Sequence, residues 1–380
     1  MIAMGKVYSD IGIITFHCSD NYGAMLQAYG LKTYLCSQGI PADIIRYEPP
    51  FMTGRHWLFP YRPYRVSGSW FKCLYDMLGG FKTNVGMGTD FFRRRKNMKR
   101  FRKRVLINKR HPLIVLSRHF KRLPYLYYIV GSDQIWNPDI TCGMREVYFG
   151  AFESRQKKKV IAYAASFGGE SLPDCYDVEF SRLIKCVDAV SVREKEAISY
   201  VRRFYKGEVT AVLDPVFFLE KEVWQRVEKL PDRKGYICVY LTENNQELCN
   251  YVRRLSQDTG LPVVELSAGM LATQGGFSMD FTAGPAEFLG YIHKADYVIT
   301  NSFHAIAFSI IFQKNFFAFV HSNRGARIKN ILRIHGLENR LCQTGEDADI
   351  EACVDWEDVQ RKTKENIRSS RDFLIKNLSL

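Results

Sequence analysis

The stretch DIGIITFHCSDNYGAMLQAYGLKTYLCSQGIPADIIRY, Asp10 to Tyr47, decides the architecture. DIGIITFH is β-branched and apolar, as a buried strand requires. CSDNYGA is a turn. Apolar residues then recur at Met25, Leu26, Tyr29, Leu31 and Leu35, a helical spacing that stops at Gly39. PADIIRY is a second strand. Strand, helix and strand in this order make a right-handed crossover, so the sheet is parallel and the fold class is α/β.

The alternation continues outward. YLYYIVGSDQIWNP (Tyr125–Pro138), KKVIAYAASFG (Lys158–Gly168), the start of AVSVREKEAISYVRRF, and VTAVLDPVFFL each read as an apolar strand ending in a turn. A second series opens at GYICVYLTEN (Gly235–Asn244). It runs through a helix near Gln246–Gly260, PVVELS, a helix over Pro285–His293, DYVITNS, FHAIAFSIIFQ, FFAFVHS and RIKNILRIHG. These runs imply a first domain over 1–216, with an irregular aromatic and basic insertion at about 48–124. A second domain covers 235–345, and an amphipathic helix covers 354–380.

Length and composition fit two globular domains: 380 residues, 46% hydrophobic and 25% charged. No run reaches the roughly 18 apolar residues that a membrane span needs. The opening MIAMGKVYSDIGIITFH lacks a basic n-region followed by a long apolar run, so it reads as a first strand and not a signal peptide. None of the ten cysteines has C-x-x-C spacing, which argues against a zinc ribbon or a thioredoxin-type site and for reduced thiols in the cytoplasm.

The formal charge of +14 has one origin. Arg93 to Arg122 holds fourteen Lys and Arg and no Asp or Glu, so the rest of the chain balances. Nucleic acid is the less favoured partner, because no nucleic-acid-binding motif accompanies the strip. Phe91, Phe92, Met98 and Phe101 among the charges make an amphipathic segment suited to the anionic inner face of the cytoplasmic membrane.

Ligands of parallel sheets bind beyond the carboxyl ends of strands. That rule selects four turns: Ser19–Gly23, Gly131–Asn137, Ser191–Glu194 and Thr300–His304. Taken together, NYGAMLQAYGL (Asn21–Leu31), VGSDQIWN (Val130–Asn137), SVRE (Ser191–Glu194), LDPVF (Leu213–Phe217), ADYVITNSFHAIAFSIIF (Ala295–Phe312) and ARIKNIL from Ala326 resemble the polysaccharide pyruvyl transferase family over nearly the whole chain.

The resemblance implies a GT-B-like fold, with two Rossmann-like domains facing a central cleft and a C-terminal helix returning to the first. It implies transfer of the enolpyruvyl unit of phosphoenolpyruvate to a sugar hydroxyl pair as a ketal, during surface polysaccharide synthesis. No metal or redox cofactor is expected. The implied acceptor is a glycan, often on a lipid carrier such as polyprenyl pyrophosphate, which suits a cytoplasmic enzyme peripheral on the membrane. Two rivals remain open: a nucleotide-sugar glycosyltransferase of the same fold, and a non-catalytic scaffold docked through Arg93–Arg122.

Ketal transfer needs an acid, a base and cations for carboxylate and phosphate. His304, at a helix start behind a Thr-Asn-Ser turn, is the candidate acid. Many relatives carry Arg two residues earlier, where this chain has Ser302, so Arg327 and Lys329 are the expected substitutes beside it. Arg193 offers a planar fork for the donor, or else a salt bridge to Glu194 or Glu196. Asn21 and Gly23 are expected at the donor. Asp133 is expected to orient or deprotonate a sugar hydroxyl. Trp136, Gln134, Tyr22 and His17 are expected on the acceptor side. The alternative for Asp133 and Trp136 is a capping aspartate and a core indole, and Asp214 reads as a turn aspartate.

Overall fold

In the computed structural model, residues 9–60, 70–108, 111–154, 156–266, 275–320, 325–342 and 353–378 are described. The first eight residues, Lys109 and Arg110 of the basic strip, and residues 343–352 before the final helix lie outside them.

Among the described residues twelve strands form two six-stranded sheets in which every pairing is parallel. The first contains β1 (Ile11–Ile14), β2 (Ala42–Ile44), β3 (Tyr127–Asp133), β4 (Lys159–Ala165), β5 (Ala189–Val192) and β6 (Val209–Ala211), in the order β2-β1-β3-β4-β5-β6. The second contains β7 (Ile237–Tyr240), β8 (Val263–Leu266), β9 (Ser278–Asp280), β10 (Tyr297–Thr300), β11 (Asn315–Phe319) and β12 (Leu341–Cys342), in the order β12-β11-β10-β7-β8-β9. The near-continuous burial of β1, β3, β4, β5, β7 and β10 is what parallel strands covered on both faces show.

Eight helices shape the cleft and its surroundings. From the first half come α1 (Tyr22–Ser37), α2 (Pro50–Thr53), α3 (Trp70–Gly86) and α4 (Thr89–Phe101). From the second come α5 (Pro285–Lys294), α6 (Phe303–Ile311), α7 (Gly325–His335) and the closing helix α8 (Trp356–Leu378). The largest apolar core does not stop at a domain boundary. It joins Met25, Leu26 and Leu31 of α1 to Phe288 and Leu289 of α5 and to Ile306 and Phe308 of α6. Helix α8 returns to the first half. The Leu213 N–H donates to Ser370 Oγ (2.9 Å), and Arg371 donates to Phe218 O (3.0 Å). This is the GT-B architecture.

The insertion is less irregular than its composition suggests. Residues 70–86 form a helix, although only Asn84 of that segment is buried. The Gly79-Gly80 pair and the aromatic density hide a helical spacing that has no charged face to mark it. Helix α4 turns one side inward through Phe91, Arg94, Met98 and Phe101. On that side Arg94 donates to Tyr22 Oη (2.7 Å) and Asn97 to Thr282 O (3.0 Å), so the helix ties the two halves together.

Candidate active site

In each sheet the strand order reverses once next to a central pair: β1 and β3 in the first, β7 and β10 in the second. These are topological switch points, where crevices open at the carboxyl ends of the strands. The two crevices face each other. A single cleft of about 260 Å³ is lined by Ser19 and Asn21 after β1, Asp133 and Gln134 after β3, Tyr240 and Thr242 after β7, and Asn301 to His304 after β10.

His304 is the second residue of α6 and is nearly buried at the cleft wall. Its ring rests on Gly23 of α1. A Cβ at Gly23 would lie 2.1 Å from Nδ1 and 2.3 Å from Cγ of that imidazole. Glycine is therefore required at 23 by the approach of the histidine, which refines the expectation that it makes room for a ligand. Nε2 points the other way, 3.7 Å from Asp214 Oδ2, an ion-pair distance longer than a hydrogen bond. Ser302 caps α6 without a side-chain hydrogen bond. Ile306 N–H is bonded to Ser302 O, so the N–H groups of Phe303, His304 and Ala305 have no acceptor within the helix and suit an anion.

Asp214 is the residue that sequence reading placed too modestly. It does cap a turn, accepting from Val216 N–H (3.1 Å). The same carboxylate also accepts from Arg193 Nη1 (2.9 Å) and Ser132 Oγ (3.2 Å) and faces His304. Burial opposes its ionisation, but the His304 ring, Arg193 and the Val216 N–H outweigh burial and hold the carboxyl at about 2. The signal was available, because Asp214 follows β6 at the carboxyl end of the sheet, the rule that selected the other turns.

Arg193 does not line the cleft. It is buried behind His304 against three carboxylates: Asp214 at 2.9 Å, Glu194 at 3.4 Å and Asp133 at 3.7 Å. Burial alone would weaken its charge. The carboxylates outweigh burial and raise its basicity above the ordinary arginine value. Its guanidinium also stacks on Phe303, 4.8 Å from the ring centre. The expectation of a direct donor clamp is corrected: with three counter-charges already around it, Arg193 holds Asp214 and the start of α6 in place.

The cations that do line the cleft are Arg55, after α2, and Arg327, on α7. Arg327 was expected. Lys329, two residues on, is exposed and outside the cleft. Arg55 was not expected, since it lies in the aromatic insertion between Gly54 and His56 with no motif around it. It is anchored by donation to Ile140 O (2.7 Å).

Asp133 stands at φ 79, a backbone region uncommon for residues other than glycine, and its Oδ1 accepts from the N–H of Gln134 (2.8 Å). Gln134 reaches the cleft and accepts from Asn137 Nδ2 (3.0 Å). Asn21 caps α1 by accepting from Ala24 N–H (3.0 Å) and shares the cleft wall.

Three acceptor-side expectations are corrected. Trp136 is fully buried, stacked on Phe149 at 5.3 Å with Nε1 donating to Tyr148 O, so it is a core indole with no face for a sugar. Tyr22 is buried between the halves, donating to Ala283 O (3.1 Å) and accepting from Arg94. His17 is buried with Nδ1 3.2 Å from Thr15 O. Burial first, then the charge of Arg102, lowers His17 to about 3, so the ring is neutral and out of the cleft. Among the described residues no group of three His, Cys, Asp or Glu side chains is placed to hold a metal ion.

The family model for polysaccharide pyruvyl transferase matches residues 21–323. The chain belongs to that family. The match begins after β1 and ends before α7 and β12, so it holds most of the cleft lining but not Phe16, Ser19, Arg327 or Ile328. No curated protein matches this pyruvyl transferase family member. Among solved structures, similar chains include the UDP-GlcNAc 2-epimerase of Neisseria meningitidis (TM-score 0.46, 9% identity, 97% of this chain and 98% of that one) and that of Methanocaldococcus jannaschii (0.44, 9%, 94% and 92%). The glycosyltransferase SnogD of Streptomyces nogalater is also similar (0.44, 10%, 97% and 99%).

Proposed function

We propose that this pyruvyl transferase family member uses phosphoenolpyruvate to build a pyruvate ketal on a sugar hydroxyl pair in surface polysaccharide synthesis. One observation carries the reading: an imidazole, two arginines from opposite domains and the N-terminus of α6 converge on one small cleft. Arg55, Arg327 and the α6 N–H groups suit the carboxylate and phosphate of the donor. His304 protonates the donor methylene carbon, leaving an oxocarbenium-like centre at C2. The first sugar hydroxyl adds there and gives up its proton to Asp133. The C2–phosphate bond then breaks as Asp133 passes that proton to the departing phosphate, and the second hydroxyl adds at C2 and gives its proton to His304, which closes the ketal and restores the acid. Asp214, fixed by Arg193, sits beside His304 and steadies the imidazolium charge. Approach to the inner membrane surface through the basic strip fits a cytoplasmic enzyme with no helix, among the described residues, long and apolar enough to cross a membrane.

The test is incubation with phosphoenolpyruvate and a panel of galactosyl and N-acetylhexosaminyl lipids, read by mass spectrometry for the added pyruvyl unit and by release of phosphate. Thermal protection by phosphoenolpyruvate is expected. Protection by UDP-sugars alone would favour the glycosyltransferase rival, and intact polymer pyruvylation in cells carrying His304→Ala would favour the scaffold.

A further inference from the structure

A second cavity, about 950 Å³, lies on the other side of the cleft wall. The two share a partition but no lining residue. In the β1–α1 loop Ser19 and Asn21 line the cleft, while Cys18 and Asp20 line the second groove. Around α2, Met52 and Arg55 face the cleft, while Pro50 and Thr53 face the groove.

This groove has a charged length and an aromatic end. Its long side is the outer face of α4 and the turn that continues it. Phe92, Arg95, Lys96, Lys99 and Lys103 recur at spacings of three and four and fall on one stripe, opposite the stripe that ties the domains together. Asp20 is already engaged, with Arg102 at 2.8 Å. Among the described residues no carboxylate is paired with Arg95, Lys96, Lys99 or Lys103. Four uncompensated cations in a concave site call for a polyanion. From Arg95 to Lys103 they run over about two helical turns, which suits a row of negative charges better than a single one.

The aromatic end is fixed by two rings. Phe92, in the first turn of α4, is 60% exposed, and Trp57 is 45% exposed. Both sit at the end of the groove nearest α3: Asn84, in the last turn of α3, donates to Trp57 O (3.1 Å), and α4 begins five residues later. A bare chain of phosphates has no use for exposed rings, whereas any nucleobase stacks on them through its π-face. The β2–α2 segment adds Glu48, whose carboxylate meets Arg46 at 3.8 Å, longer than a hydrogen bond. Its oxygens therefore remain as acceptors for sugar hydroxyls.

We propose that the groove binds a nucleoside polyphosphate, with its base against Trp57 and Phe92, its ribose beside Glu48 and its phosphates along Arg95, Lys96, Lys99 and Lys103. A nucleotide held there is a regulator and not a reactant, because its phosphates lie outside the cleft that holds His304. Its grip falls on the helix whose inner face ties the domains together through Arg94 and Tyr22. The site does not rest on the pyruvyl transfer proposed above.

The experiment is calorimetric titration of the full chain with ATP, inorganic tripolyphosphate, inorganic pyrophosphate and adenosine. ATP binds at least tenfold tighter than tripolyphosphate, which matches its phosphate chain. Pyrophosphate binds more weakly still, and adenosine does not bind. Lys96→Glu combined with Lys99→Glu, both exposed, weakens ATP at least tenfold and leaves Tm unchanged. Trp57→Ser brings ATP down to the affinity of tripolyphosphate and leaves tripolyphosphate itself unmoved. Arg327→Ala, in the cleft, leaves ATP affinity unchanged. Equal affinity of the native chain for ATP and tripolyphosphate would make the groove a plain anion site and overturn the proposal, as would indifference to the charge reversal. Loss of ATP binding in Arg327→Ala would put the nucleotide in the cleft and overturn it as well. Pyruvyl product from a chain that does not bind ATP sinks only this inference.

Discussion

Gly23→Ala tests the site's geometry without any assumption about substrate. The added methyl would sit 2.1 Å from Nδ1 and 2.3 Å from Cγ of His304. Ordinary contact begins at roughly 3.4 Å, so the ring, α1 or both must move by about 1 Å. Overpacking of this kind costs about 1–3 kcal/mol. The cost belongs to the contact, so it should disappear when the ring is absent. In a urea-melt cycle, Gly23→Ala should destabilise the native chain by about 1–3 kcal/mol and the His304→Ala background by less than about 0.5 kcal/mol. A displacement of about 1 Å at the acid also lowers kcat on the order of a hundredfold. Equal destabilisation in both backgrounds would show that glycine is needed for some other reason, and the packing of imidazole on α1 would be wrong.

Asp214→Asn removes the charge that Arg193 and His304 share; a loss of about 3 kcal/mol or more in stability is expected, with reduced turnover, and unchanged melting would refute the buried cluster. Arg55→Ala and Arg327→Ala should each raise KM for phosphoenolpyruvate about tenfold or more at nearly unchanged Tm, since each is assigned a charge-assisted contact with the donor. Acid stability carries a sign. His17 and His335 are buried, and that burial lowers them to about 3 and about 4, against about 6.5 when unfolded. The unfolded chain therefore binds more protons below pH 6.5. Stability present above that pH falls by up to about 1.4 kcal/mol per unit for each ring as pH drops toward 4, and Asp214 adds a further loss between about 3.8 and 2. His335→Gln should reduce the slope of urea midpoint against pH between 6.5 and 4 by about one proton.

The period of the apolar residues made the parallel sheets legible, because buried strands and amphipathic helices write distinct spacings. The site was legible where it sits at strand ends: His304, Asp133, Gln134 and Asn21 all reach the cleft. It failed where a residue's role depends on which way a side chain leaves the backbone. Trp136 and Gln134 share one turn, yet one enters the Phe149–Phe180 core and the other the cleft. Arg193 sits at the expected turn, but the number of carboxylates that would surround it, two of them distant in sequence, is not a local property. Arg55 had no local signal at all, because its place beside the switch points is set by how the insertion folds back over Ile140.

The charge distribution gives the basic helix two jobs that constrain each other. Arg94 and Asn97 on the inner stripe of α4 hold Tyr22 and the Thr282–Ala283 turn of the second domain. Lys96 and Lys99, one turn around the same helix, line the outer groove. A ligand that pulls on the outer stripe therefore acts on the helix that sets the distance between domains, and with it the approach of His304 on the second domain to Gly23 and Asp214 on the first. Arg94→Gln would loosen that tie while leaving the groove's cations in place. The expected result is a cleft that binds phosphoenolpyruvate more weakly and a groove whose affinity for inorganic pyrophosphate is unchanged. Parallel titrations check it, and equal weakening of both ligands would mean that the two faces of α4 form one site.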